Sequence, residues 1–138
     1  GAGALAPLLA ANASLTELNL ARNGVRGGGA ALLADHLKGN AALAVLSLEG
    51  NAVGDEGAMA FAQCLQMNTG ITYLNLASNG IGEAGAASFL KLMEMKTYSP
   101  DFTFLRLTHN VFPDDIMIRL HELSEFPITV DCGHEDTF

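Results

Sequence analysis

Residues 15–42 read LTELNLARNGVRGGGAALLADHLKGNAA, and residues 43–70 read LAVLSLEGNAVGDEGAMAFAQCLQMNTG. The second stretch is a variation on the first. Leu15, Leu18, Leu20 and Asn23 return as Leu43, Leu46, Leu48 and Asn51, then as Ile71, Leu74, Leu76 and Asn79, each time 28 positions on. A fixed period of this length means stacked units, none of which can bury its apolar face alone.

Within a unit, the alternation Leu18-Asn19-Leu20 predicts a short half-buried strand, with leucines inward and the residues between them outward. Its equivalents are Leu46-Ser47-Leu48, Leu74-Asn75-Leu76 and Leu105-Arg106-Leu107. Asn23, Asn51, Asn79 and Asn110 follow at a constant offset. A side-chain amide there can bond turn backbone that is otherwise unpaired, which gives these residues a structural role. An apolar anchor comes two residues later, at Val25, Val53, Ile81 and Phe112. Glycines 29, 57 and 85 are expected to let each helix approach the strand layer closely. Helices then bury Leu33 and Leu37, Phe61 and Leu65, Phe89 and Met93 at i, i+4 spacing. Asn40 and Asn68 are read as helix ends.

The expected domain is single, over 1–138, divided as a partial repeat helix 1–14, repeats 15–42, 43–70 and 71–101, a divergent repeat 102–126, and a cap strand with tail 127–138. Gly1, Leu5, Leu9 and Asn12 align with Gly29, Leu33, Leu37 and Asn40, so the chain starts in mid-repeat. This reads as the C-terminal part of a longer protein, whose N-terminal face is expected to associate. Three extra residues in KTYSPD shift the fourth unit. Its helix is predicted from Asp114 to about Phe126, stopped by Pro127, with a last strand at Ile128-Thr129-Val130 pointing in, out and in.

The chain is 49% hydrophobic and 16% charged, with a net charge of −8. No apolar run is long enough for a membrane helix. Eight acids against two arginines after residue 100 argue against nucleic acid and for a partner with a basic surface. Cys64 and Cys132 fall far apart along the stack, so a disulfide is not expected and an intracellular, cytoplasmic setting is.

The pattern LxxLxLxxNxIGxxGAxxLxxxL, the GDEGA stretch and the 28-residue period resemble the ribonuclease-inhibitor-like subfamily of leucine-rich repeats over roughly residues 1–123. That resemblance implies an α/β fold, a curved solenoid with parallel strands on the concave face and helices on the convex face. It also implies a protein-binding role, since members include ribonuclease inhibitor, tropomodulin-type actin regulators and the activator of the Ran GTPase.

The outward strand residues form three columns: Glu17, Val45, Tyr73, Phe104; then Asn19, Ser47, Asn75, Arg106; then Ala21, Glu49, Ala77, Thr108. Aromatics and arginine are enriched at binding hot spots. The candidate partner site is therefore Tyr73, Phe104 and Arg106, helped by Glu17, Glu49 and Asn75. The competing reading is that Tyr73 and Phe104 pack on each other and cover the C-terminal end. No catalytic residue, metal or cofactor is expected: GxSxG, HExxH and a phosphate loop are absent. His36, His109 and His121 are read as ordinary helix or turn residues, and the tail CGHEDTF lacks spaced ligand pairs. The function expected is a non-enzymatic interaction scaffold. Alternatives are a subunit of a cytoskeletal or ciliary assembly, or a GTPase activator of the Ran type using Arg22 and Arg26.

Overall fold

A computed structural model describes residues 2–125 and 128–133. The helices are α1 (Ala2–Ala11), α2 (Gly27–Leu37), α3 (Gly54–Met67), α4 (Glu83–Met95) and α5 (Asp114–Glu122). The strands are β1 (Glu17–Asn19), β2 (Val45–Ser47), β3 (Tyr73–Asn75), β4 (Phe104–Arg106) and β5 (Thr129–Asp131). All pairings are parallel and sequential, giving one sheet in the order β1-β2-β3-β4-β5. Helices pack on the next helix in chain order, on the other side of a shared core. This is the expected α/β solenoid: strands line the concave face and helices the convex one.

The core forms where the repeat places its leucines. Leu46, Leu48, Leu74, Leu76 and Leu105 are fully buried, as are the anchors Val53 and Ile81 and the helix residues Phe61 and Phe89. The asparagine ladder then ties the turns together. Asn51 Oδ1 accepts the Asn23 and Val25 N–H groups, both at 2.9 Å, while its Nδ2 donates to the Leu20 carbonyl. Asn110 repeats the arrangement two units on, and Asn79 does so one unit on with the Val53 N–H as its donor. Four equivalent turn residues, Arg22, Gly50, Ser78 and His109, lie at positive φ, so the turn imposes a left-handed backbone whatever side chain stands there.

Three expectations change. The glycines do admit a close approach, but to the preceding helix. A Cβ on Gly57 would stand 2.8 Å from that of Ala30, and one on Gly85 2.9 Å from that of Ala58. Helix α3 also reaches forward, since Asp55 Oδ1 accepts the Gly82 and Gly85 N–H groups at 2.8 and 2.9 Å. The start of α4 is thus capped by a carboxylate of its neighbour, not by its own N-cap residue.

Asn68 is the C-cap of α3, but α2 ends at Leu37 with Lys38 as its cap, so Asn40 lies two residues beyond that end. They form a second ladder, in which Asn68 Nδ2 donates to the Leu37 and Asn40 carbonyls and Asn40 Nδ2 to those of Leu9 and Asn12. Helix α5 stops at Glu122, short of Phe126. Leu123 caps it, the Ser124 N–H bonds the His121 carbonyl, and Ser124 Oγ accepts the Val130 N–H at 2.9 Å. The chain leaves the helix early because it must turn back to add β5. The predicted Pro127 stop and the tail from His134 lie outside the described residues. Ile128 and Val130 are buried and Thr129 is exposed, as the in-out-in reading requires.

Candidate protein-binding face

The sheet register sets the face. Glu17, Val45, Tyr73, Phe104 and Thr129 are mutual Cα partners across the five strands, as are Asn19, Ser47, Asn75, Arg106 and Asp131. The first two expected columns therefore exist, each lengthened by one residue of β5.

The Tyr73 and Phe104 rings stack with centroids 4.9 Å apart and planes 12° from parallel. Both side chains remain half-buried. Parallel in-register strands place the two Cβ atoms near the spacing that a ring stack needs, so the pair is organised before any partner arrives. Each ring shields one face of the other, as the reading of a cross-strand packing pair requires.

Polar side chains surround it. Arg106 Nε lies 3.5 Å from Thr108 Oγ1 and 4.0 Å from Asp131 Oδ2. Glu49 accepts a 2.9 Å hydrogen bond from Asn75 Nδ2. Asn75 is 7% exposed, because its Oδ1 also takes the Ala77 N–H. It stands in the expected column but positions Glu49 and does not face outward. Ala77 and Thr108 of the third column are buried too. Glu17 is exposed on β1, two strands from the ring pair.

Sequence reasoning missed a regular feature of the second column. Asn19, Ser47, Asn75 and Asp131 each accept the N–H of the residue two positions later. These short polar side chains end the strands by bonding local backbone, which is the usual reason for Asn, Asp and Ser at such sites. Arg106 is the one member of the column that cannot do this, and its guanidinium is left for other contacts.

The remaining candidates are scattered. Arg22 and Arg26 lie exposed in the turns after β1, with the Arg22 side chain close over Gly50. His36 Nδ1 sits 2.9 Å from the Leu32 carbonyl, while His109 and His121 are exposed in a turn and on α5. Asp101, Asp114, Asp115, Glu122 and Glu125 are exposed at the C-terminal end, and Arg119 bridges Glu94 and Glu122, both at 3.3 Å. Cys64 and Cys132 are buried thiols with no disulfide between them, and burial pushes Cys64 up to about 12 from the ordinary 9.0. Its thiol stays protonated and unreactive at neutral pH.

Among the described residues no group of three or more His, Cys, Asp or Glu could hold a metal ion. No described helix is long and apolar enough to cross a membrane.

The fold is shared with solved structures. Leiomodin-1 Actin-Binding Site 2 superposes with a TM-score of 0.81 at 18% identity, over 97% of this chain and 78% of that one. The tropomodulin C-terminal domain of Caenorhabditis elegans superposes with a TM-score of 0.76 at 14% identity, over 96% and 80%. At these identities the likeness is one of fold. None of the curated proteins matches the chain in sequence. The family model described as Leucine Rich repeat matches residues 11–34, 39–62 and 68–90, just over half of the chain. These segments each hold a strand, its asparagine and most of a helix, and the chain belongs to the leucine-rich repeat family.

Proposed function

We propose that the chain is a non-enzymatic protein-interaction module of a cytoskeletal assembly, which takes its partner on the concave face at Tyr73, Phe104 and Arg106. The observation that carries this reading is the stacked, half-exposed Tyr73–Phe104 pair, with Arg106 following Phe104 by two residues on β4. Preformed aromatic area beside an arginine is the kind of surface on which binding energy concentrates. Glu17, and Glu49 that Asn75 holds in place, add acidic contacts, and the chain's charge of −8 favours a partner with a basic patch. The cytoskeletal setting is supported by the likeness to the actin-binding site of leiomodin-1. A cell interior fits two buried thiols that form no bridge.

Cosedimentation with filamentous actin, and gel-shift with monomeric actin, test this. Wild type is expected to bind one form. The Tyr73→Ala/Phe104→Ala double variant is expected to bind at least about tenfold more weakly, with an unchanged far-ultraviolet spectrum. Binding by the folded double variant at wild-type strength overturns the site. Failure of wild type to bind either form overturns actin as the partner.

A further inference from the structure

The first outward column reads Glu17, Val45, Tyr73, Phe104, Thr129 from β1 to β5, so its apolar members stand on three successive strands. All three are half-buried. Neighbouring strands lie about 4.8 Å apart, which puts Tyr73 about 4.8 Å and Phe104 about 9.6 Å from Val45 along a line crossing the strands. One face of an α-helix presents residues i, i+3 and i+7 with rises of about 4.5 and 10.5 Å, within about 1 Å of that spacing. An extended peptide presents one face every second residue, about 6.7 Å apart, and falls out of step at the second contact.

The second column flanks this apolar strip. There Asn75 Nδ2 holds the Glu49 carboxylate at 2.9 Å, and Arg106 is the Cα partner of Asn75 on the next strand. Among the described residues no lysine or arginine pairs with Glu49. Arg106 reaches Asp131 at 4.0 Å, and its side chain is 41% exposed. The strip thus runs beside an acid that lacks a counter-charge and, one strand on, a base whose pairing is loose.

We propose, on the reading that the concave face is the contact surface, that it takes an amphipathic α-helix of the partner laid across the strands. Apolar residues at i, i+3 and i+7 sit over Val45, Tyr73 and Phe104. A basic residue of the helix faces Glu49, and an acidic one faces Arg106. A few apolar anchors at helical spacing carry this mode of recognition, and charges beside them set the orientation. Turning the helix end for end brings like charges together, so Glu49 and Arg106 also fix its direction.

Two displayed peptide libraries, each selected on the folded 138-residue chain, test this. One holds amphipathic helices of about 15 residues, long enough to cross all five strands. The other holds extended peptides broken by proline. The helix library is expected to yield binders whose affinity falls at least about tenfold on the Tyr73→Ala/Phe104→Ala variant. Affinity is expected to fall on Glu49→Lys as well, and to return when the basic residues of the peptide are exchanged for acidic ones. Far-ultraviolet spectra check that both variants are folded. Ring-dependent binders from the extended library alone overturn the helix and leave the concave face standing. Helical binders indifferent to both rings overturn the helix seat and the concave-face reading together. Failure of both libraries to yield a binder overturns the helix seat, while actin cosedimentation still tests the face.

Discussion

Four asparagines share one repeat position, yet they carry unequal loads. Asn79 is buried and bonds three backbone groups across two units. Asn23 is exposed and bonds one carbonyl of its own turn. Asn79→Ala strands the buried Val53 N–H, while the Leu48 and Ala77 carbonyls keep their bonds from Asn51 Nδ2 and the Gly50 N–H, at an expected cost of about 1–3 kcal/mol. In a chain of these 138 residues, Asn23→Ala leaves its partner open to water and is expected to cost under about 1 kcal/mol. Urea unfolding curves compare the two, and equal shifts in midpoint would refute the ladder as the source of the difference. The first ladder was legible because one residue type recurs at one offset after each strand. The second, at Asn12, Asn40 and Asn68, carried the same 28-residue signal. It was obscured because asparagine after a helix already has an ordinary explanation as a cap. Asn75 shows a further limit: its column was readable, but its burial depends on how far the Glu49 side chain reaches across the strands.

At the scale of elements, strand–helix alternation and register followed from the leucine spacing, because a slip of one residue would turn every leucine to solvent. What the spacing does not contain is how closely neighbouring helices stand. The contact of Gly57 with Ala30, and the cap that Asp55 lends to α4, both depend on that distance. The end of α5 depends likewise on where β5 must join the sheet. Two helix glycines turn this into a prediction of opposite sign. A Cβ on Gly57 would collide with Val53 Cγ1 and stand 2.8 Å from Ala30, both part of packed backbone-proximal core. Gly57→Ala is expected to destabilise by about 1–3 kcal/mol through overpacking. A Cβ on Gly28, inside α2, meets nothing within 4 Å. Gly28→Ala is expected to stabilise by about 0.5–1 kcal/mol through helix propensity. Thermal unfolding of the two variants decides, and a destabilised Gly28→Ala or a stabilised Gly57→Ala would show that the helix spacing is misjudged.

At the scale of the whole molecule, a solenoid is nearly one-dimensional, and its stability is a sum over units and the contacts between neighbours. One repeated hydrogen bond samples that sum at successive positions. The Leu20 N–H bonds the Ser47 carbonyl at 2.8 Å, the Leu48 N–H that of Asn75 at 2.9 Å, and the Leu76 N–H that of Arg106 at 2.9 Å. The bonds are alike, so differences in their exchange report how each unit opens. Within these 138 residues β1 pairs with β2 alone, and Leu18 and Leu20 are half-buried, whereas Leu46, Leu48, Leu74 and Leu76 are fully covered. For a chain of these 138 residues the Leu20 amide is therefore expected to exchange at least about tenfold faster than those of Leu48 and Leu76, which should exchange only near global unfolding. Native-state hydrogen exchange measures this directly, and uniform protection from Leu20 to Leu76 would rule out opening from the β1 end. The gradient bears on the proposed binding site because Tyr73 lies on β3, in the interior of the sheet, and Phe104 is its partner on β4. A platform held there loses little freedom when a partner binds, so its contacts would appear in affinity instead of being offset by ordering.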